Sequence, residues 1–321
     1  MPDLWDFDRG KMEFSLSTGG NLWYTVNIKG VMTMSVDVLQ NKIRKKKNPC
    51  ALVIAPTADQ IPPSFLSAFD DPAMAAGEYC GALLQALAPV MAAVRFDFGA
   101  FALMGPMGLT VLRTLLEQAA ALGYYVLIDW LRLETPAGAE AAAKQIFGGS
   151  WPCDGAVVCA YGGVECVKPW LNAAGSEKDV FAVLKTANKS GAQLQDLQPG
   201  GRVVYSAAAD LVSRWGETAV GRCGYSRVGG MAGANNAAAL KNLRQNYPRM
   251  FLLVDGLDAP GANAKNASAA FDKMGYGALC CEGSGIFAAW QEGEGETDPV
   301  AAALDAAERM KRNVTRYVTV L

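Results

Sequence analysis

The chain has 321 residues, with 29 Lys plus Arg against 31 Asp plus Glu, a formal net charge of −2 and a pI near 5.4. Hydrophobic residues make up 51% and charged residues 19%, enough for a substantial core and too apolar for a disordered chain. No basic surplus points to nucleic acid. With no histidine, Ser-His-Asp triads, Cys-His pairs and His-ligated metals are excluded, so proton transfer falls to Asp, Glu, Lys, Cys or Tyr.

Residues 1–33 read as an N-terminal extension, either genuine or an over-called gene start, since Met32 and Met34 are possible internal starts. The opening "MPDLWDFDRGKMEF" is acidic where a signal peptide needs positive charge. No apolar run approaches the roughly 18–20 residues of a membrane span. A cytoplasmic location without membrane association is the expectation.

Residues 34–321 read as a single domain. "MSVDVLQNKIRKKKNP" has the pattern of a helix, with Ser35 or Asp37 as cap and Pro49 as its stop. The basic run Arg44-Lys45-Lys46-Lys47 complements the negative end of that helix dipole. Eight nearly continuous apolar runs follow, as strands covered on both faces require: 50–55, 92–98, 124–130, 155–161, 180–185, 226–232, 250–255 and 276–281. Between them lie helical patterns, clearest at 108–123 (closed by Gly123), 237–248 and 299–318. This alternation predicts an α/β fold, a (β/α)8 TIM barrel. A doubly wound sheet would want G-x-G-x-x-G after its first strand, where "APTADQIPP" has no glycine. The eight cysteines form no C-x-x-C pair and fall mostly in apolar runs, the pattern of reduced core thiols.

A barrel of this kind places its site where the strands end. That mouth would gather Ala55, Arg95 and Asp97, Asp129 to Glu134, Tyr161 to Gly163, Thr186 to Asn188, the glycines of 229–233, Asp255 to Gly261, and Glu282 to Gly285. Each has a plain structural reading as well. Asp129 could be satisfied by backbone N–H groups, Arg132 and Glu134 could pair at the surface, and Arg95 with Asp97 could be an ion pair.

The stretches "MSVDVLQNKIRKKKNP", "FGAFALMGPMGLTVLRTL", "KTANKSGAQLQDLQ" and "WGETAVGRCGYSRVGGMAGA" occur in the order found in one known family. From about residue 34 to the C-terminal helix, the chain resembles the orotidine 5′-phosphate decarboxylases in their longer bacterial form. The resemblance implies a TIM barrel, commonly a homodimer with sites at the subunit interface, that removes CO2 from orotidine monophosphate to give UMP in pyrimidine biosynthesis. It implies no metal and no cofactor, and a nucleotide or other small-molecule ligand.

The family's chemistry rests on an Asp-Lys-Asp array in the motif D-x-K-R-G-D-I-x-x-T after the third strand. The lysine stabilises the developing carbanion and then protonates it. Here "DWLRLETPAG" keeps Asp129 and Arg132, but Leu131 stands at the lysine position, Glu134 replaces the second Asp and Gly138 the Thr. Other positions depart too. Ala55 replaces the ribose-binding Asp, Arg95 the second-strand lysine, Pro260 the phosphate-gripping glutamine and Ser284 the phosphate-binding arginine, while Asp255, Asp258 and Glu282 add negative charge.

By resemblance, the catalytic remnant is Asp129, Arg132 and Glu134. The substrate-binding set is Arg95, Asp97, Thr186, Asn188, Gly256, Gly261, Ser284 and Gly285. Three readings are open: an inactive homologue kept for binding or for pairing with an active paralogue, a barrel repurposed for a non-phosphorylated substrate, and a working decarboxylase. The apolar Trp130, Leu131 and Leu133 are expected at the dimer face.

Overall fold

The computed structural model describes residues 34–292 and 298–320. The 1–33 segment, expected to be an extension, lies outside the described residues. Eight parallel strands close in sequence order into a barrel: β1 (Cys50–Ile54), β2 (Ala93–Asp97), β3 (Tyr125–Trp130), β4 (Gly155–Cys159), β5 (Asp179–Lys185), β6 (Ser226–Gly233), β7 (Met250–Asp255) and β8 (Ala278–Glu282). All eight expected apolar runs become strands, with ends that differ by at most two residues. Apolar stretches are needed because each strand is covered on both faces.

Strand periodicity divides the core in two. Alternate residues pointing outward (Leu52, Val94, Phe96, Val126, Ile128, Leu252, Val254) pack under the surrounding helices. Those pointing inward (Ala51, Ala93, Tyr125, Leu127, Val157, Phe181, Met231, Phe251, Leu253, Leu279, Cys281) fill the lumen. Gly229 on β6 gives the lumen room, since a Cβ there would lie 2.6 Å from the Phe181 ring and 2.5 Å from the Phe251 carbonyl oxygen.

The expected helices form over Gly105–Ala121, Ala237–Asn246 and Pro299–Thr315. The first starts earlier than its apolar pattern, because Pro106 suits an initial turn, and it ends before Gly123 at φ +83°. Among the described residues, no helix is long and apolar enough to cross a membrane.

Helix α1 (Ser35–Lys46) closes the end of the barrel where the strands begin, with Val36, Leu39 and Ile43 fully buried against the lumen residues. Its N-cap is Met34 rather than Ser35 or Asp37. Asp37 instead reaches back to accept from the Met34 N–H at 2.9 Å, and it also accepts from the Cys223 N–H at 2.8 Å. Ser35 is free for another role, meeting the Tyr125 hydroxyl at 2.8 Å. Arg44, Lys45 and Lys46 occupy the last turn, as the dipole favours, and Lys46 also donates to the Ala88 carbonyl at 2.8 Å.

Under α1 the Tyr125 hydroxyl also donates to the Asp179 carboxylate, which is fully buried. Burial holds that carboxyl well above the usual carboxylate range, and the tyrosine hydrogen bond offsets only part of the cost. Removing the phenol hydroxyl leaves Asp179 and Ser35 with fewer partners in a place water cannot reach. Tyr125→Phe is therefore expected to lower unfolding free energy by about 1–3 kcal/mol, measured by urea denaturation, with an unchanged far-UV spectrum.

Candidate functional site

At the C-terminal ends of the strands, the lumen residues change from apolar to charged. Arg95 on β2 is 4% exposed and extends across the barrel interior. Its Nε lies 3.1 Å from Asp129 Oδ2 on β3, an ion-pair contact without hydrogen-bond alignment. Its Nη2 donates to Asp255 Oδ1 on β7 at 2.5 Å. Its Nη1 faces the Met231 sulfur on β6 at 3.3 Å. The strand order explains how this happens. Residues 95, 129, 231 and 255 share lumen-facing parity, and β6 and β7 lie across the barrel from β2.

Burial works against the Arg95 charge in this layer, but the Asp129 and Asp255 carboxylates more than offset it and hold that charge firmly in place. Desolvation pushes the Asp129 carboxyl up to about 7. Arg95 pulls it down, and Asp255 and Asp97 add to the rise. Cys281, the β8 residue of the same layer, has its thiol pushed up to about 12, first by burial, so it is no nucleophile at neutral pH.

Two expected pairings are corrected. Arg95 does not pair with Asp97. Asp97 turns to cap the short helix Phe98–Ala102, accepting from the Ala100 N–H at 3.1 Å, while Arg95 points across the lumen to the better-placed carboxylates. Asp129 is not satisfied by backbone N–H groups: Oδ2 faces Arg95, and Oδ1 is buried with no hydrogen-bond partner.

The third-strand loop separates the remaining motif residues. Trp130 is the last residue of β3 and points outward, its ring 4.6 Å from Phe98 and 6.2 Å from Trp170. It therefore belongs to the helix-side core and not to an exposed apolar face. Leu131 is 47% and Leu133 71% exposed. Arg132 lies over the Trp130 ring at 5.6 Å rather than pairing with Glu134. Glu134 is half-buried, and its carbonyl accepts from the Cys166 thiol at 3.0 Å. Thr135 caps the helix Pro136–Gln145 through the Gly138 N–H, which fixes where the loop ends.

The other predicted binding residues line three separate loops. Thr186 is held by Gln195, its N–H donating to Gln195 Oε1 at 3.0 Å, and Asn188 is exposed. Gly256 and Gly261 take positive φ (64° and 83°) around the β7 turn. Ser284 donates to Asp258 Oδ2 at 2.5 Å, so its hydroxyl is already engaged. Gly285 sits against Glu282, where a Cβ would fall 2.0 Å from Glu282 Oε1. Burial first, then Asp258, pushes the Glu282 carboxyl up to about 7.

Asp255 was expected at the mouth, whereas Met231 and Asn235 were not singled out. Met231 and Asp255 complete the Arg95 contacts, and Asn235 ties the β5 and β6 loops together through the Ala187 carbonyl at 2.8 Å. Counting alternate residues along each strand would have placed the first two beside Arg95. Nothing in the sequence marks Asn235. Lys185, a buried cation at the end of β5, is paired with Asp196 and lies 5.3 Å from the Tyr205 ring. Among the described residues, no group of His, Cys, Asp or Glu is arranged to hold a metal ion.

Fold and mouth together define an α/β-barrel protein whose strands end, on their C-terminal side, in a buried ion cluster. No protein-family profile matches the chain. It is 28% identical over 265 residues to the orotidine 5′-phosphate decarboxylase of Clostridium novyi (strain NT), covering 82% of this chain and 92% of that protein. It is 30% identical over 217 residues to that of Rhodopirellula baltica, covering 65% of this chain and 72% of the relative. The solved OMP decarboxylase of Leishmania donovani shares the fold, with a TM-score of 0.70 and 24% identity over 88% of this chain and 99% of that one. The chain belongs to the orotidine 5′-phosphate decarboxylase family.

The raised Asp129 carboxyl has a consequence for stability. Between about pH 4 and 7 the folded protein holds a proton there that the unfolded chain has released. This contribution is therefore complete below about pH 4 and is lost as pH rises through about 7. Asp129→Asn should flatten the fall by roughly 1 kcal/mol per pH unit across that window. Urea unfolding at half-unit pH intervals measures it.

Proposed function

We propose that this family member does not turn over orotidine monophosphate and works instead as a binding barrel for a small non-phosphorylated ligand. The observation carrying this reading is at position 131. It lies two residues beyond Asp129, the spacing at which the family motif places its lysine, and holds a partly exposed leucine that can neither stabilise a carbanion nor deliver a proton. Supporting it, Arg95 is committed to Asp129 and Asp255, Ser284 to Asp258, and Lys185 to Asp196. Three acids, Asp255, Asp258 and Glu282, stand on the loops where the family grips phosphate. Losing two charge-assisted contacts of roughly 1.5–3 kcal/mol each would remove orders of magnitude of phosphate affinity.

A working decarboxylase is the second reading, favoured by the names and the 28–30% identity of the relatives above. The test is direct. Excess protein is incubated with orotidine monophosphate for hours while the orotate absorbance is followed, and UMP is titrated calorimetrically in parallel. No conversion and no micromolar UMP binding are expected. Turnover, or micromolar UMP affinity, would make the decarboxylase reading the right one.

The family's dimeric arrangement is proposed for this chain as well, through the face carrying the third-strand loop. Leu133 at 71% and Val164 at 42% exposure are large apolar side chains whose burial would favour association. Sedimentation equilibrium at micromolar concentration should give a dimer, and Leu133→Asp should weaken it at least tenfold. A monomeric wild-type protein would contradict this.

A further inference from the structure

Outside the lumen, β8 ends in a residue that the covered face of a strand does not favour. Leu279 and Cys281 face the lumen, so Glu282 alternates outward, under the helical layer. That layer is thin there. Between β7 and β8 the chain makes one α-helical turn, Ala264–Ala267, and the 3-10 turn Ser268–Ala270, so the closing helix Pro299–Thr315 is less covered on that side. The result is a groove of about 730 Å³, in the size range of small-molecule sites, with Leu257, Ala306 and Met310 as its apolar lining. Glu282 borders it. Its Oε1 lies against Gly285, where a Cβ would fall 2.0 Å away, so the glycine makes room for the carboxylate.

The groove holds charges of both signs that the chain leaves unmatched. Among the described residues, the Glu282 carboxylate and the Arg309 and Arg316 guanidinium groups make no ion pair and no side-chain hydrogen bond. Arg309 is close enough to lower the Glu282 carboxyl and yet forms no bridge to it. We propose that this groove binds an α-amino acid with an apolar side chain, its ammonium group on Glu282, its carboxylate on Arg309 and its side chain against Met310 and Leu257. A carboxylate offers only acceptors and a guanidinium only donors, so the two partners take opposite ends of a zwitterion. Those ends leave one carbon of the ligand, which suits partners that face each other without touching. A lone anion leaves Glu282 unmatched, and a lone cation leaves Arg309 unmatched. The groove lies outside the lumen, so the inference is independent of the reading of the mouth.

The pH dependence follows from the groups around Glu282. Asp258 faces it from the turn after β7, Glu292 from the turn Ala289–Glu292 and Arg309 from the closing helix, while Lys265 lines the same groove from the Ala264–Ala267 turn. Burial first, then Asp258 and Glu292, hold its carboxyl up at about 7 against the pull of Arg309. An ammonium group needs the ionised form, so binding should strengthen as pH rises through that value.

The test is isothermal titration of the full chain at pH 8 with L-leucine, L-methionine and L-phenylalanine. The N-acetyl form of each lacks the ammonium charge, and the amide form lacks the carboxylate. Saturable one-to-one binding of at least one amino acid is expected, with both of its blocked forms weaker by about tenfold or more. Affinity should fall about tenfold on going from pH 8 to about pH 5.5. Glu282→Gln should weaken binding to a similar degree and remove the pH dependence, while Arg309→Gln should weaken it and keep the pH dependence. If one variant fails to fold by circular dichroism, the other decides. No binding of any of the three up to about 10 mM, equal binding of the blocked forms, or unchanged affinity in either folded variant overturns the inference.

Discussion

Arg95 determines what the barrel mouth can do. A guanidinium taken out of water costs several kcal/mol unless opposite charges surround it, and here Asp129, Asp255 and the sulfur of Met231 take that place. Arginine suits the position better than lysine would. Its planar fork addresses β3, β6 and β7 at once, which a single ammonium group cannot do at these spacings. The cation is thus spent on holding the lumen closed in its last charged layer.

The same layer separates scaffold from chemistry. Below it, the lumen is apolar down to the Tyr125–Asp179–Ser35 cluster under α1, whose Val36, Leu39 and Ile43 seal the other end of the barrel. That part depends only on size and alternation, so family identity near 28% is enough to keep it. Above it, the strand-end loops are free to change. Leu131, Pro260 and Ser284 stand on or beyond the strand ends, where a change of side chain leaves the register of the eight strands untouched.

What was legible in the sequence follows the same division. The barrel was readable because doubly covered strands must be apolar throughout, and runs such as "MFLLVD" and "YYVLIDW" have no other use. The gathering of Arg95, Asp97 and Asp129 at one end was readable from strand ends. The pairing was not. Arg95 and Asp97 look like partners at i and i+2, but the closed barrel brings Asp255, 160 residues away, to the guanidinium, and Asp97 is drawn into capping a helix. Trp130 was misplaced for a similar reason, since an aromatic residue at a strand end reads as exposed until Phe98 and Trp170 are brought against it. Tertiary partners distant in sequence leave no local signal.

The central claim is that Arg95 is held by the protein and unavailable to a phosphorylated ligand. Nitrogen-15 NMR of the arginine side chains tests it most directly, on uniformly labelled protein with Arg95 assigned by substitution. The account predicts slowed rotation about the Nε–Cζ bond, with distinct and slowly exchanging Nη–H signals that do not move when UMP is added. A single averaged Nη signal, or a shift of the Arg95 resonances on adding UMP, would contradict it.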